Sequence, residues 1–174
     1  MNTIKIGSQE WATEDLKVTK FRNGQDIPLV TDDVEWAKLG TAAYCIAPNG
    51  HYLYNWYAVN DERGLAPDGF HVPSDDEWKE LFEYLGGEKV AGEKMKTSSW
   101  DGSNTSGFSA LPGGFRHYSS GHFDFLGSDG YWWSSSSIDS FVWYVSLSFG
   151  YTSVVRSLSD YVRDGFSVRC LKTL

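Results

Sequence analysis

The sequence predicts an α+β fold, on three observations. Ser74, Asp75, Asp76 and Glu77 form a capping-box signature in front of an apolar stripe, which marks one well-defined helix. From Phe115 onward, alternating apolar residues and glycine-rich turns read as β structure throughout. Aromatic residues make up 16% of the chain, with eight Trp, a content suited to a β-rich core or an adhesive surface. A length of 174 residues is enough for one domain, spanning 1–174, with a core that needs no covalent staples.

Ile4 and Ile6 alternate with Lys5, and Gly7 and Ser8 break the run, so residues 3 to 21 read as short strands ahead of an Asn23-Gly24 turn. Asp32 and Asp33 precede Val34, Trp36, Ala37 and Leu39, the pattern of a short helix with acids at its positive end, closed by Gly40. Ala43 to Ala47 reads as a strand, Pro48-Asn49-Gly50 as a turn, and Tyr52 to Val59 as a second aromatic segment. In the capped helix, Trp78, Leu81, Phe82 and Leu85 recur at spacings of three and four, giving one buried stripe that Gly86 and Gly87 terminate. A weaker helical turn follows at Val90 to Lys96, and then a loop-rich stretch to residue 116. Phe141, Trp143, Val145, Leu147 and Phe149 alternate along one strand and are expected on its core face; Gly165 to Cys170 is expected to form the last strand, with Phe166, Val168 and Cys170 on one side.

Charge and motif content narrow the function. A net charge of −8 argues against a nucleic-acid partner, because backbone recognition needs clustered Lys and Arg. No run has the length of a membrane span, and the N-terminal residues lack the apolar core of a signal peptide. His51, His71, His117 and His122 show no metal-ligand spacing, so no metal or cofactor is expected. Ser134 to Ser137 carries no partner base at motif spacing, and no nucleophile elbow is present. The acids at 75 to 77 are accounted for by helix capping. Cys45 and Cys170 are either two buried thiols or one bridge.

One segment differs from the rest. Between Ser137 and Asp164 there is no Lys, Glu, Gln, Asn, Met or Pro. Strand propensity is one explanation, since Lys and Glu are depleted in strands. Against it, Val154, Val155, Leu158, Tyr161 and Val162 follow neither a period of 2 nor one of 3.6. The genetic code offers the other explanation. Every residue type in the segment except Trp143 is reachable from the Asn codon AAC by changing its adenines alone, whereas Lys, Glu, Gln and Met are not. Adenine-directed diversification by a retroelement would leave that mark.

The segments IGSQEWATEDLKV at 6–18, LYNWYAVNDERGLAPDGFHVPSDDEW at 53–78, SGFSALPGGFR at 106–116, GYWWSSSS at 130–137 and GFSVRC at 165–170 together resemble the Fibrobacter succinogenes major paralogous domain family. The resemblance implies a C-type lectin-like fold with two helices, a small twisted antiparallel sheet and long ordered loops. Such folds also serve as the variable proteins of diversity-generating retroelements, which implies a variable ligand-binding region at 131–170. Its candidate ligand-contacting residues are Ile138, Asp139, Phe141, Ser146, Ser148, Gly150, Tyr151, Ser153, Val155, Ser157, Leu158, Ser159, Asp160, Val162 and Asp164. Trp132, Trp133, Trp143, Leu147, Arg156, Phe166, Val168 and Arg169 match the fixed pattern and are expected to be framework. The calcium-dependent sugar motifs of the fold, Glu-Pro-Asn or Gln-Pro-Asp followed by Trp-Asn-Asp, are missing.

The expectation is therefore a non-enzymatic protein that binds a protein or cell-surface ligand, displayed on a phage tail or a cell surface. Two alternatives stand beside it. One is an enzyme of the formylglycine-generating type acting through Cys170, and the other an adhesion module of fixed specificity.

Overall fold

The first and last strands lie in one sheet, and this closure sets the frame for everything between them. The structure, a computed structural model, describes residues 1–173. Strands β1 (Thr3–Ile6) and β2 (Gln9–Ala12) form a hairpin. Helix α1 (Asp33–Ala37) is capped by the Asp32 carboxylate, which accepts from the Glu35 amide. Strands β3 (Tyr44–Ile46) and β4 (Tyr52–Tyr54) pair across the Pro48-Asn49-Gly50 turn. Helix α2 (Trp56–Val59) follows at once, because the Asn55 side chain accepts from the Ala58 amide. Strand β5 (Phe70–His71) leads into α3 (Asp75–Tyr84), where Ser74 and Glu77 complete the capping box. Helix α4 (Glu88–Met95) comes next, then one 3₁₀ turn at Ser98–Trp100.

The second half is β structure, as its pattern predicts. It comprises β6 (Phe115–Arg116), β7 (Phe123–Asp124), β8 (Asp129–Ile138), β9 (Phe141–Ser148), β10 (Val154–Ser159) and β11 (Leu171–Lys172). Strand order is β1-β2-β11-β5 in one sheet and β10-β9-β8 in another, with two-stranded sheets β3-β4 and β6-β7. All these strand pairs are antiparallel.

The β10-β9-β8 sheet is covered on both faces. Register places Trp132, Val145, Leu147 and Val154 on one face, where they join the cluster of α3 and α4 with Trp78, Leu81 and Met95. Trp133 and Val142 lie on the other face, packed with Tyr54, Phe166 and Val168. This corrects the single core face expected for β9. Val145 and Leu147 are buried as expected, but Phe141 and Phe149 at the strand ends are exposed, and Val142 on the opposite face is buried. A sheet between two clusters needs apolar residues on both sides, which hides the period of 2.

Two further corrections concern the elements. Among the described residues there are four α-helices instead of two, and α2 arises where the aromatic segment after Tyr54 gave no helical spacing. The final strand is β11, while residues 165–167 make isolated bridges from Gly165 to Arg116, Phe166 to Tyr54 and Ser167 to Trp132. Phe166, Val168 and Cys170 do share one cluster, as expected.

Buried ions join the parts. Arg169 donates to Asp15 at 2.8 Å and to the Ala12 carbonyl at 3.1 Å, and Trp132 Nε1 donates to the same carboxylate at 2.8 Å. Arg116 donates to the carbonyls of Val30 and Gly121 and to the Asp33 carboxylate.

Candidate functional site

The candidate residues lie on a backbone that the rest of the chain grips through main-chain atoms. At one end of the sheet, the turn between β9 and β10 sits on Lys96, whose buried ammonium donates to the carbonyls of Ser148 at 3.1 Å and Tyr151 at 2.8 Å. Asp101 closes the arrangement: it pairs with Lys96 at 2.5 Å and accepts from the Gly150 amide at 2.6 Å. The next residues of the turn rest on α4, where the Glu93 amide donates to the Thr152 carbonyl at 3.0 Å. A Cβ on Gly92 would stand 2.6 Å from the Ser153 carbonyl oxygen and 2.8 Å from that of Thr152. Gly92→Ala is therefore expected to cost about 1–3 kcal/mol by overpacking against backbone, read as a lowered denaturation midpoint.

Strand β10 is held by Arg156, which donates to Asp75 at 2.6 Å and Glu88 at 3.2 Å and stacks over Trp143 at 4.8 Å. At the sheet's other end, β8 and β9 join through a two-residue turn in which Asp139 adopts φ 54°. That left-handed conformation is one that Asp and Asn tolerate better than other non-glycine residues.

Register then sorts the side chains. In β9 and β10, Ser146, Ser148, Val155, Ser157 and Ser159 all lie on the face shared with Tyr131 and Tyr144. The opposite face carries Trp143, Val145, Leu147, Val154 and Arg156. The candidate positions of these two strands thus share one face, except Phe141 and Leu158, which fall on the face of Trp143 at the end of the sheet.

Ile138, Asp139, Phe141, Gly150, Tyr151, Val155, Leu158 and Asp160 are exposed, and Ser148, Ser153, Ser157, Ser159 and Val162 half-buried. Tyr151 is 65% exposed, Tyr161 45% and Leu158 38%. Ser146 and Asp164 differ, being enclosed at 8% and 6% exposure. Among the residues expected as framework, Trp132, Trp133, Leu147, Phe166, Val168 and Arg169 are buried, while Trp143 and Arg156 are half-buried.

At the Asp139 end of the sheet, Phe141, Leu158, Ser159, Asp160 and Asp164 line a cleft of about 340 Å³. Its aromatic walls come from Phe115, Phe125, Tyr131, Tyr144, Tyr161 and Phe166. Phe115 stands 5.0 Å from Tyr131 and 5.8 Å from Phe166, centroid to centroid, and Tyr161 stacks on Tyr118 at 4.0 Å. Phe115, Phe125, Tyr131, Tyr144 and Tyr161 are not among the candidates that composition marks, because nothing in their spacing brings these separate β segments together.

Asp164 occupies an unusual position in this cleft. One carboxylate oxygen accepts from the Tyr118 amide at 2.8 Å. Burial, with Asp160 adding like charge, nevertheless pushes its pKa up to about 7. Because that value lies above the usual one near 3.8, the folded protein holds a proton that the unfolded chain releases. The contribution of Asp164 to stability is full below about pH 4 and declines as pH rises through about 7. Asp164→Asn is expected to remove that decline, measured by urea denaturation at a series of pH values.

Both cysteines are free and buried, and burial pushes the thiols of Cys45 and Cys170 up to about 12. Among the described residues, no group of three or more His, Cys, Asp or Glu is arranged to hold a metal ion, and no helix is long and apolar enough to cross a membrane.

Fold and site together define a mixed α/β protein with four helices and small antiparallel sheets among the described residues, bearing an aromatic cleft at one end of its central sheet. The model of the Fibrobacter succinogenes major domain family matches residues 4–172, and the chain belongs to that family. No curated protein and no solved structure gave a match.

Proposed function

We propose that this chain is a non-enzymatic binding protein of C-type lectin-like fold, the variable protein of a diversity-generating retroelement, with residues 131–170 as its diversified region. Its ligand is a protein or another cell-surface component, met from a phage tail or a cell surface. The observation that carries this reading is the exposure of AAC-reachable residues along the strand ends and turns of the sheet. Ile138, Asp139, Phe141, Gly150, Tyr151, Val155, Leu158 and Asp160 are exposed and all reachable from AAC by adenine changes, while Trp143, which is not reachable, is half-buried with Arg156 over its ring. The main-chain grip of Lys96, Asp101 and α4 adds support, since it fixes the backbone of the turn while the Tyr151 side chain stays exposed. Exposed Phe and Tyr would act as anchors and Ser and Gly as adaptable contacts, as in antibody loops.

The burial and raised pKa of Cys170 favour binding over thiol catalysis, because the reactive form of cysteine is the accessible thiolate. Sequencing the coding region from independent isolates tests the proposal. Differences are expected at the codons of the candidate residues and only at positions where the ancestral base is adenine. Variation spread evenly over residues 1–174 would overturn it.

A further inference from the structure

We propose that the aromatic cleft beside Asp160 and Asp164 receives an arginine side chain projecting from the surface of a protein partner. This deepens the binding reading above and rests on it for the location of the combining surface. The molecule builds one local arrangement repeatedly. Arg63 lies over Phe21 at 4.0 Å and pairs with Asp61 at 2.7 Å. Arg116 lies over Trp36 at 4.6 Å and pairs with Asp33 at 2.9 Å. Arg156 lies over Trp143 at 4.8 Å and pairs with Asp75 at 2.6 Å, and Arg169 lies over Phe108 at 4.3 Å and pairs with Asp15 at 2.8 Å. In each case an aromatic face and a carboxylate together hold one guanidinium.

The cleft has the aromatic faces and the carboxylates and lacks the cation. The rings of Tyr131, Phe115 and Phe166 line the space, Phe166 itself stacked on Trp133 and Tyr131, Asp160 and Asp164 supply the acids, and no Lys or Arg lines it. Asp164 is more than nine-tenths buried, and the one hydrogen bond it accepts uses a single oxygen, Oδ1. Its raised pKa agrees with a carboxyl that has no cationic partner. The volume of about 340 Å³ suits a side chain entering from a partner.

Arginine fits better than lysine. Its planar guanidinium stacks on aromatic faces, forks to a carboxylate, and is more weakly hydrated than an ammonium group. The chain's charge of −8 favours approach by a basic surface.

The experiment follows aromatic side-chain NMR resonances of the whole protein during titration with N-acetyl-arginine methylamide. The matching citrulline compound, a neutral isostere, and the lysine compound serve as comparisons. Saturable shifts of the Phe115, Tyr131 and Phe166 rings are expected with the arginine probe, with binding about tenfold weaker for citrulline. Asp160→Asn and Phe141→Ala change exposed residues, so folding is retained, and each is expected to weaken arginine binding several-fold. Asp164→Asn keeps the shape and the Tyr118 contact and is expected to weaken it further. Equal affinity for arginine and citrulline, equal affinity for arginine and lysine, or no saturable shift would each overturn the proposal.

Arg163 stands next to Asp164 in sequence without lining the cleft. Arg163→Ala is expected to leave probe affinity unchanged, and a marked gain would mean that the cleft is filled from within and would also overturn the proposal. Failure here would be distinct from failure of the broader reading. Arginine binding by a gene without adenine-directed variation would describe a fixed-specificity module, whereas variation without arginine binding would describe a diversified surface selected for a different ligand.

Discussion

Replacing Asp15 with alanine is expected to destabilise the protein by about 3–5 kcal/mol at neutral pH, because the change leaves the buried Arg169 guanidinium without its counter-charge. Asp15 joins three distant parts of the chain. Its Oδ1 accepts from Arg169 and from Trp132, each at 2.8 Å, so the segment after β2, the central sheet and the approach to β11 meet at one carboxylate. His51 Nδ1 stands 3.8 Å from the other oxygen, beyond hydrogen-bond reach. Burial alone would raise the Asp15 pKa, but the Arg169 charge and the hydrogen bonds outweigh it and hold the value at about 2. The sign of the pH effect follows. A carboxyl lowered on folding stabilises above its unfolded pKa, near 3.8, and that stability is lost as pH falls toward about 2. Denaturation of the native protein and of Asp15→Ala should therefore differ most above pH 4, with the gap narrowing in acid.

Lys96→Ala is the second large effect, expected at about 3 kcal/mol. The lysine ammonium has three protons to donate, and Asp101, Ser148 and Tyr151 receive them in a site where the lysine side chain is 1% exposed. Removing it orphans two carbonyls of the β9–β10 turn and leaves the Asp101 carboxylate without its cation. The loss should be local as well as global. Hydrogen exchange at the Gly150 amide, which donates to Asp101, is expected to quicken more than exchange at the paired amides in the middle of β9. Equal loss of protection across β9 would mean that Lys96 supports the sheet generally and not the turn.

What could be read from the sequence depended on whether the deciding interaction was local. The α3 helix was legible to its first residue, since Ser74 and Glu77 satisfy each other within four positions and Trp78, Leu81 and Phe82 repeat at helical spacing. Helix α2 was not, because it spans only Trp56–Val59 and depends on the Asn55 cap and on packing of its aromatic rings. The extended run at Gly165 to Cys170 was correctly seen as core, yet its partners, Arg116, Tyr54 and Trp132, lie in different sheets, so it forms bridges instead of a strand.

The candidate surface shows the same division. Composition singles out residues 137 to 164 without any structure, and within them Ile138, Phe141, Tyr151, Val155 and Leu158 are exposed. The enclosure of Ser146 and Asp164 was not legible, because Ser and Asp serve in both settings and only tertiary contact separates them. The buried lysine and arginines that carry the frame were equally hidden, since charged residues are ordinarily read as surface.

The most direct measurement is the DNA sequence surrounding the gene. A near-copy of the codons for residues 131–170 is expected beside a reverse-transcriptase gene, differing from the coding copy only where the near-copy has adenine. A locus with no such copy and no reverse transcriptase would contradict it, and the bias between Ser137 and Asp164 would then be strand propensity alone.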